Sequence, residues 1–375
     1  MLHMLGKVFI ESFAFFKHPK REESIIFFSE GIGDWSHLEG YIQEIIKSDL
    51  VLYLYSEKAD PGGKFSHNNF KAFYIGNGYI RTLVFKLLQC KIMVMTMPDL
   101  GVFHLKRSIF KVHYFYVFHS LASSHTWYRK NSLNYYDTYG AAGPHHLREL
   151  NRLKELKKLR DIKVIKLGYP RLDKVIRNAK ESVNDPPIIL LAPTYGNSSF
   201  LRFNGHQIIK SLLENNLEVI FRPHPMSFKK EKKLIKRIIN SFSQDKRFKL
   251  DVDPSSTDSL ESSNLLITDW SGVSVDFSLG LGKKVLFIDT PQKILNSEYK
   301  LYNLEPFEEK FRQEVGEIIS LKDLNELPRK VWEMLKEVKI NNQKLNFFRR
   351  DCIYNLGNSA QIGAEEIINL KSIKS

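Results

Sequence analysis

Four short segments carry side chains suited to phosphate chemistry. Phe118-His119-Ser120-Leu121-Ala122-Ser123-Ser124-His125 holds a histidine where a predicted strand, Val112–Phe118, runs out. An imidazole titrating near neutrality can take a proton from an attacking hydroxyl there. Arg222-Pro223-His224-Pro225 leaves a second predicted strand, Glu218–Phe221. Its prolines fix φ on both sides of the histidine and remove two backbone donors. Such a rigid turn can present the Arg222 fork and the His224 ring to phosphates and stabilise a leaving pyrophosphate. Thr268-Asp269-Trp270-Ser271-Gly272-Val273-Ser274 precedes a predicted helix. Asp269 or Ser271 is expected to cap that helix, whose first N–H groups make an anion site that small residues such as Gly272 and Ser274 leave open. Pro193-Thr194-Tyr195-Gly196 is a similar strand-to-loop element. Gly31-Ile32-Gly33 follows the first strand, lacks the rest of a dinucleotide fingerprint, and reads as a tight turn at the ligand cleft. Singly, each segment also fits an ordinary structural role; their shared position is what points to function.

These residues need a scaffold that gathers strand ends. Buried runs at Ser24–Ser29, Leu50–Tyr55, Lys91–Met97 and Val112–Phe118 alternate with helical patterns at Leu38–Ile46 and Tyr79–Leu88. Tyr135–Tyr139 and Val164–Leu167 are shorter strand candidates. A second series follows the linker signal Asn184-Asp185-Pro186-Pro187, with strands at Ile188–Ala192, Glu218–Phe221, Leu265–Thr268 and Lys284–Ile288. Its helices are His206–Glu214, Lys229–Phe242, Glu326–Lys336 and Ala360–Leu370. The alternation predicts an α/β protein of two Rossmann-like domains, 1–184 and 185–350, facing a central cleft, with 351–375 a C-terminal helix that crosses back to the first. Ligands of such sheets bind outside the carboxyl ends of the strands. His119, Thr194, His224 and Ser271 each directly follow a predicted strand. The architecture is that of nucleotide-sugar transferases.

A chain of 375 residues, 43% apolar and 26% charged, suits two packed soluble domains and excludes a disordered or polytopic membrane protein. Cys90 and Cys352 are too few for a disulfide framework or a thiolate zinc site, which fits a reducing cytoplasm. The net charge of +14 sits in residues 151–250, where 23 Lys/Arg face 9 Asp/Glu; the rest of the chain balances at 33 of each. Such a block, the helix Lys229–Phe242 chiefly, suits a phosphate-rich substrate or an acidic membrane surface. Leu5–Phe16, broken by Lys7 and Glu11, is well short of the roughly 20 residues of a span and lacks a signal-peptide cleavage site. It is expected to pack on the protein's own body, with a membrane surface as the alternative. His145-His146 diverge, with no second pair at ligand spacing, so no metal or other cofactor is expected. No Walker A motif, G-x-S-x-G elbow or aromatic–basic nucleic-acid motif is present, and no nucleic-acid partner is expected.

From about His119 to Ile368 the chain resembles the CDP-glycerol glycerophosphotransferase family, the teichoic-acid primases and polymerases with a GT-B-like fold. Val117-Phe118-His119-Ser120 is similar to its first motif, a strand ending in His-Gly, and Tyr136-Asp137-Thr138 through Gly143-Pro144-His145 resembles its Tyr-Asp segment. Gly168-Tyr169-Pro170-Arg171-Leu172-Asp173 resembles a Gly-Tyr-Pro-Arg-x-Asp element, Ala192-Pro193-Thr194-Tyr195 an Ala-Pro-Thr-Trp element, and Arg222-Pro223-His224-Pro225 an Arg-x-His-Pro element. Ile267-Thr268-Asp269-Trp270-Ser271-Gly272-Val273 resembles Ile-Thr-Asp-Tyr-Ser-Ser-Val, and Gly357-Asn358-Ser359 a late Gly-containing turn. The resemblance implies metal-independent transfer of glycerol phosphate from CDP-glycerol to a hydroxyl of a lipid-linked or polymeric acceptor, with release of CMP. It implies His119 as base and His224 on the donor phosphates, with Arg222, Pro193, Thr194, Tyr195, Gly196, Asp269, Ser271, Gly272 and Ser274 around the donor. Gly31 and Gly33 lie on the acceptor side, and His125 or Arg129 replaces the basic residue the family has soon after its first-motif histidine. The departures at Ser120 and Gly272 keep other CDP-, CMP- or UDP-linked donors open. Three other readings are a GT-B glycosyltransferase of capsule or lipopolysaccharide synthesis, a non-catalytic basic binding module, and a UDP-sugar epimerase. The place of work is expected to be the inner face of the bacterial cell membrane.

Overall fold

The computed structural model describes residues 2–159, 162–179 and 184–373, and their strands form two all-parallel sheets. The first holds β1 (Ile25–Ser29), β2 (Val51–Tyr55), β3 (Phe70–Tyr74), β4 (Ile92–Met95), β5 (His113–Val117), β6 (Thr138–Ala141) and β7 (Lys163–Lys166), in the order β3-β2-β1-β4-β5-β6-β7. The second holds β8 (Ile188–Leu191), β9 (Glu218–Phe221), β10 (Phe248–Leu250), β11 (Leu265–Thr268), β12 (Val285–Asp289) and β13 (Gly316–Ser320), in the order β10-β9-β8-β11-β12-β13. Register is continuous across the centres: Phe27 pairs with both Tyr53 and Val94, and Leu190 with both Ile220 and Leu266. All of β1, β2, β4 and β11 is buried. Helices on both faces of a parallel sheet demand such unbroken apolar runs. In each sheet the order reverses once, between β1 and β4 and between β8 and β11, and ligands of doubly wound sheets bind at the carboxyl side of such a reversal.

The chain divides into two compact units. The first comprises Met1–Asp173, Leu295–Leu304 and Arg350–Ser375, and the second Lys174–Ile294 and Glu305–Arg349. Residues 295–304 thus belong to the first unit although the second series surrounds them in sequence. The helix Ser359–Ile373 packs on the helix Trp35–Ile45 of the first unit. Gly363 lies against the Tyr41 ring and Gly40 against Pro170 and Ala360, so neither position has room for a side chain. Ala364, Ile367 and Leu370 complete that core.

The first helix, Leu2–Phe16, is held by one face: Phe15 is buried against Phe73, and the Glu11 carboxylate accepts the Tyr74 N–H. Its other face exposes Phe9, Ile10 and Phe13, at 65, 66 and 52%. Among the described residues no helix is long and apolar enough to cross a membrane. In the second unit the helix Lys232–Phe242 buries Ile235, Ile238 and Phe242 and turns Lys232, Lys233 and Lys236 to solvent.

Candidate active site

His119 lies two residues beyond β5, half-buried, beside the first reversal point. Its Nδ1 is 3.0 Å from the Thr96 carbonyl oxygen at the end of β4. A carbonyl can only accept, so Nδ1 carries the proton and Nε2 is the basic nitrogen of the neutral ring. That is the tautomer a general base needs. Its ring stacks on Tyr128 with centroids 5.6 Å apart and meets the His37 ring edge-on at 6.1 Å.

The segment Gly168–Asp173 builds the floor beneath that pair. Gly168 has φ +93°, and a Cβ there would collide with the Tyr354 carbonyl and Ser359, so only glycine lets the C-terminal segment approach. The Tyr169 hydroxyl spans His37 Nδ1 at 3.1 Å and the His119 carbonyl oxygen at 3.2 Å. Arg171 is buried near His37. The Asp173 carboxylate accepts the N–H groups of Gly357 and Ser359 at 2.7 and 2.9 Å. Two of the sequence motifs, 168–173 and 357–359, are therefore halves of one joint.

On the loop after β1, Asp34 accepts the N–H groups of Glu30 and Gly31 at 2.8 and 3.0 Å and shapes the turn through Gly33. Burial pushes the Asp34 carboxyl up to about 7, against the pull of those two N–H groups. Gly31 faces open space.

Of two expected acceptor-side residues, His125 is built into the core and Arg129 stays at the surface. His125 is 2% exposed; Nδ1 meets Glu149 Oε1 at 3.1 Å and Nε2 the Leu304 carbonyl at 3.2 Å. Both ring nitrogens face oxygen acceptors, which holds the ring in the core of the first unit. Ser124 gives Glu149 an N–H at 2.7 Å and a hydroxyl at 2.6 Å. Burial alone would raise the Glu149 pKa, but the His125 hydrogen bond and the nearby charges of His146, His125 and His145 hold it at about 2. Arg129 pairs with Asp99 at 3.2 Å on the surface.

In the second unit the expected donor residues converge on the second reversal point. Thr194 follows β8, and its buried hydroxyl has no hydrogen-bond partner among the described residues. Gly196 turns at φ +80° with nothing within 4 Å of where a Cβ would sit, so its backbone borders open space. His224 Nδ1 accepts the Met226 N–H at 3.0 Å, which leaves Nε2–H as a donor. The Tyr195 ring lies 4.6 Å from the His224 ring, with the Lys230 and Lys293 ammoniums 5.2 and 4.8 Å from its centroid. Ser271 and Gly272 sit half-buried on the loop after β11. The Ser274 hydroxyl donates back to the Ser271 carbonyl.

Three details differ from expectation. Arg222 does not face the loop of His224; its guanidinium binds Asp251 at 2.9 Å, Ser259 at 2.7 Å and the Ser256 carbonyl at 3.0 Å, bracing the 251–259 loop. Asp269 is not a helix cap; its two oxygens accept the N–H groups of Thr194 and Phe200, at 2.8 and 2.9 Å, and fix the loop after β8. Burial pushes its carboxyl up to about 6. No side chain caps the turn that starts at Val273.

Sequence reasoning missed His37 and Lys293. Lys293 is buried, and burial pushes its ammonium down to about 8 although Asp269 and Glu308 pull the other way. Neither residue stands in a recognisable motif; the signal available was position, one loop beyond β1 and one beyond β12. Among the described residues no group of three or more His, Cys, Asp or Glu side chains is placed to hold a metal ion.

Residues 122–361, more than half the chain, match the family model of CDP-glycerol:poly(glycerophosphate) glycerophosphotransferases. No curated protein matches the sequence. Among solved structures, the wall teichoic acid polymerase TagF, as a variant soaked with CDPG, is similar with a TM-score of 0.60 at 14% identity, over 99% of this chain and 95% of that one. UDP-GlcNAc 2-epimerase of Methanocaldococcus jannaschii, with UDP-GlcNAc and UDP, gives 0.57 at 13% identity, over 93% and 99% of the two chains. MnaA of S. aureus with UDP gives 0.57 at 12%, over 92% and 95%. At these identities the likeness is one of fold, the two-sheet α/β arrangement of the GT-B type.

Proposed function

The chain belongs to the CDP-glycerol:poly(glycerophosphate) glycerophosphotransferase family, and from that premise we propose that it moves glycerol phosphate from CDP-glycerol to a hydroxyl of a lipid-linked or polymeric acceptor, releasing CMP. It is an enzyme of that type. The acceptor oxygen bonds to the glycerol-bearing phosphorus, the bond to the CMP oxygen breaks with its electron pair, and the hydroxyl proton passes to His119 Nε2. Thr194, Gly196, Ser271 and Gly272 border the diphosphate, and His224 Nε2–H with Lys293 and Lys230 offsets its charge. The observation that carries this reading is the second-unit cluster: a histidine whose acceptor nitrogen is already used, set among lysines around one tyrosine ring beside an open glycine turn.

The test is CMP release from CDP-glycerol on addition of a glycerol-phosphate-ended acceptor, run with and without EDTA. Acceptor-dependent CMP is expected in both, because basic side chains take the place of a cation. Loss in EDTA restored by magnesium would overturn the metal-independent mechanism. Turnover of UDP-GlcNAc with none of CDP-glycerol would move the chain to the epimerase chemistry of its fold relatives.

A lipid-linked acceptor of this kind favours work at a membrane surface. Two features suit that: the exposed Phe9, Ile10 and Phe13 beside Lys7 and Lys17, and the outward lysines of the helix Lys232–Phe242. Co-sedimentation with anionic vesicles is expected at low salt and to weaken as ionic strength rises. Equal binding at low and high salt would remove the electrostatic part of this reading.

A further inference from the structure

His37 stands outside every motif that the family resemblance covers, yet it faces His119. It sits in the first turn of the helix Trp35–Ile45, directly after the loop that carries Gly31 and Gly33. The Tyr169 hydroxyl has one proton and lies between two groups: the His119 carbonyl oxygen, which can only accept, and His37 Nδ1. The proton therefore goes to the carbonyl, and the hydroxyl oxygen accepts Nδ1–H from His37. The lone pair of His37 is then on Nε2, the same tautomer as His119. Burial, with Arg171 and His119 adding to it, keeps the His37 ring neutral by holding its pKa well below the usual histidine value. Two imidazoles whose neutral forms carry the lone pair on Nε2 thus stand edge-to-face, centroids 6.1 Å apart, His37 in the first helical turn after β1 and His119 on the loop after β5.

One base suffices to deprotonate one hydroxyl. A second basic nitrogen beside it suits a second hydroxyl. The rings are already at contact distance, and both are partly exposed, so two hydroxyls on adjacent carbons, each in a hydrogen bond of about 2.8 Å, would meet the two Nε2 atoms from the exposed side of the pair. We propose that His37 is a specificity residue that accepts a hydrogen bond from the hydroxyl next to the attacking one, so that the first unit selects acceptors ending in a vicinal diol. This rests on the transferase reading above, in which the acceptor's terminal glycerol carries such a diol. Burial, with the Arg171 charge adding to it, keeps His37 from becoming a cation that could only donate.

The experiment compares two soluble acceptors, one ending in glycerol phosphate and one ending in the phosphate of propane-1,3-diol, which lacks the neighbouring hydroxyl. CMP release is followed for the wild type, His37→Ala and His37→Gln. The wild type should prefer the diol by about 10- to 100-fold in kcat/KM. His37→Ala should lose that preference, chiefly through the diol acceptor, while keeping its slow rate on the deoxy one. His37→Gln, whose amide oxygen can stand near the Nε2 position, should regain part of it. A wild type that releases CMP equally fast with both acceptors sinks the inference and leaves the transferase reading intact. A wild type that releases none with either sinks the transferase reading itself. Equal losses on both acceptors in His37→Ala would make the residue merely structural. Should His37→Ala not fold, His37→Gln decides alone: preference retained supports the proposal, and preference lost in a folded variant overturns it.

Discussion

Replacing His119 by alanine is expected to lower turnover by about 10²–10⁴-fold, the usual contribution of a positioned base, with donor affinity almost unchanged. The reason lies in the tautomer. Thr96 holds the Nδ1 proton, so Nε2 is the ring's only basic nitrogen. Of the partners named above, Thr96 and Tyr169, neither offers a second base. The Tyr169 hydroxyl is spent on His37 and the His119 carbonyl, and the Thr96 contact is a backbone oxygen. The residues proposed to hold the donor belong to the other unit, on loops after β8, β9 and β11. Single-turnover CMP release gives the first quantity and calorimetric titration with CDP-glycerol the second. The fold should tolerate the change, because His119 is half-buried at a strand end and its carbonyl, which Tyr169 binds, survives the substitution. Near-normal turnover would remove His119 from the base role. A variant that merely melts early, with turnover intact below its melting point, would assign the residue to structure.

The position of His119 was legible because a strand end is a sequence feature: an apolar run stops and a polar residue follows. The same logic located Thr194, His224 and Ser271. The central strands were legible for the same reason. Strands buried on both faces, such as β1, β2, β4 and β11, show as unbroken apolar runs. Three strands left no such mark: β3, β10 and β13. All three are sheet edges, and each exposes residues: Lys71 in β3, Lys249 and Leu250 in β10, Glu317 and Ile318 in β13. An edge strand is covered on fewer sides, so its sequence carries less of the pattern.

What side chains do with each other was far less legible. Arg222 looks like a phosphate fork in sequence, and only the fold shows Asp251 and Ser259 within reach of it. His125 reads as a basic residue near the site until Glu149, on a helix 24 residues downstream, is seen to bind it. Asp269 and Thr194 are 75 residues apart, and their bond follows from β8 and β11 being neighbours in the sheet. Strand order is a tertiary outcome. A residue's partners depend on it, and so does whether a polar group faces a ligand or braces a loop. The segment 168–173 shows both sides of this. Its unusual composition was visible, but its work, joining His37, His119 and the turn at Gly357–Ser359, needed the fold.

His224 offers the sharpest separation of chemistry from structure, because its two nitrogens serve different ends. Nδ1 accepts the Met226 N–H and so caps the helix Pro225–Lys230, while the proton of the neutral ring is then on Nε2, the group proposed to meet a phosphate oxygen. Alanine removes both. His224→Ala is expected to lose about 10²–10³-fold in turnover, the typical cost of deleting one preorganised charge-stabilising donor, and about 1 kcal/mol of stability for the lost cap. Because a diphosphate is bound in the ground state as well as in the transition state, donor affinity should fall too, unlike in His119→Ala. His224→Asn divides the two effects. Its side-chain oxygen can still accept the Met226 N–H, as asparagine does at helix starts, but its amide is too short to replace Nε2–H. The asparagine variant should therefore recover the stability and not the turnover. Denaturant unfolding and CMP release on the same three proteins measure both. If asparagine restores turnover along with stability, the cap was all that mattered, and His224 holds the loop rather than the phosphate. If turnover stays low in a protein as stable as the wild type, the missing donor is the cause, and the cluster of His224, Lys230 and Lys293 around Tyr195 is where the diphosphate is held.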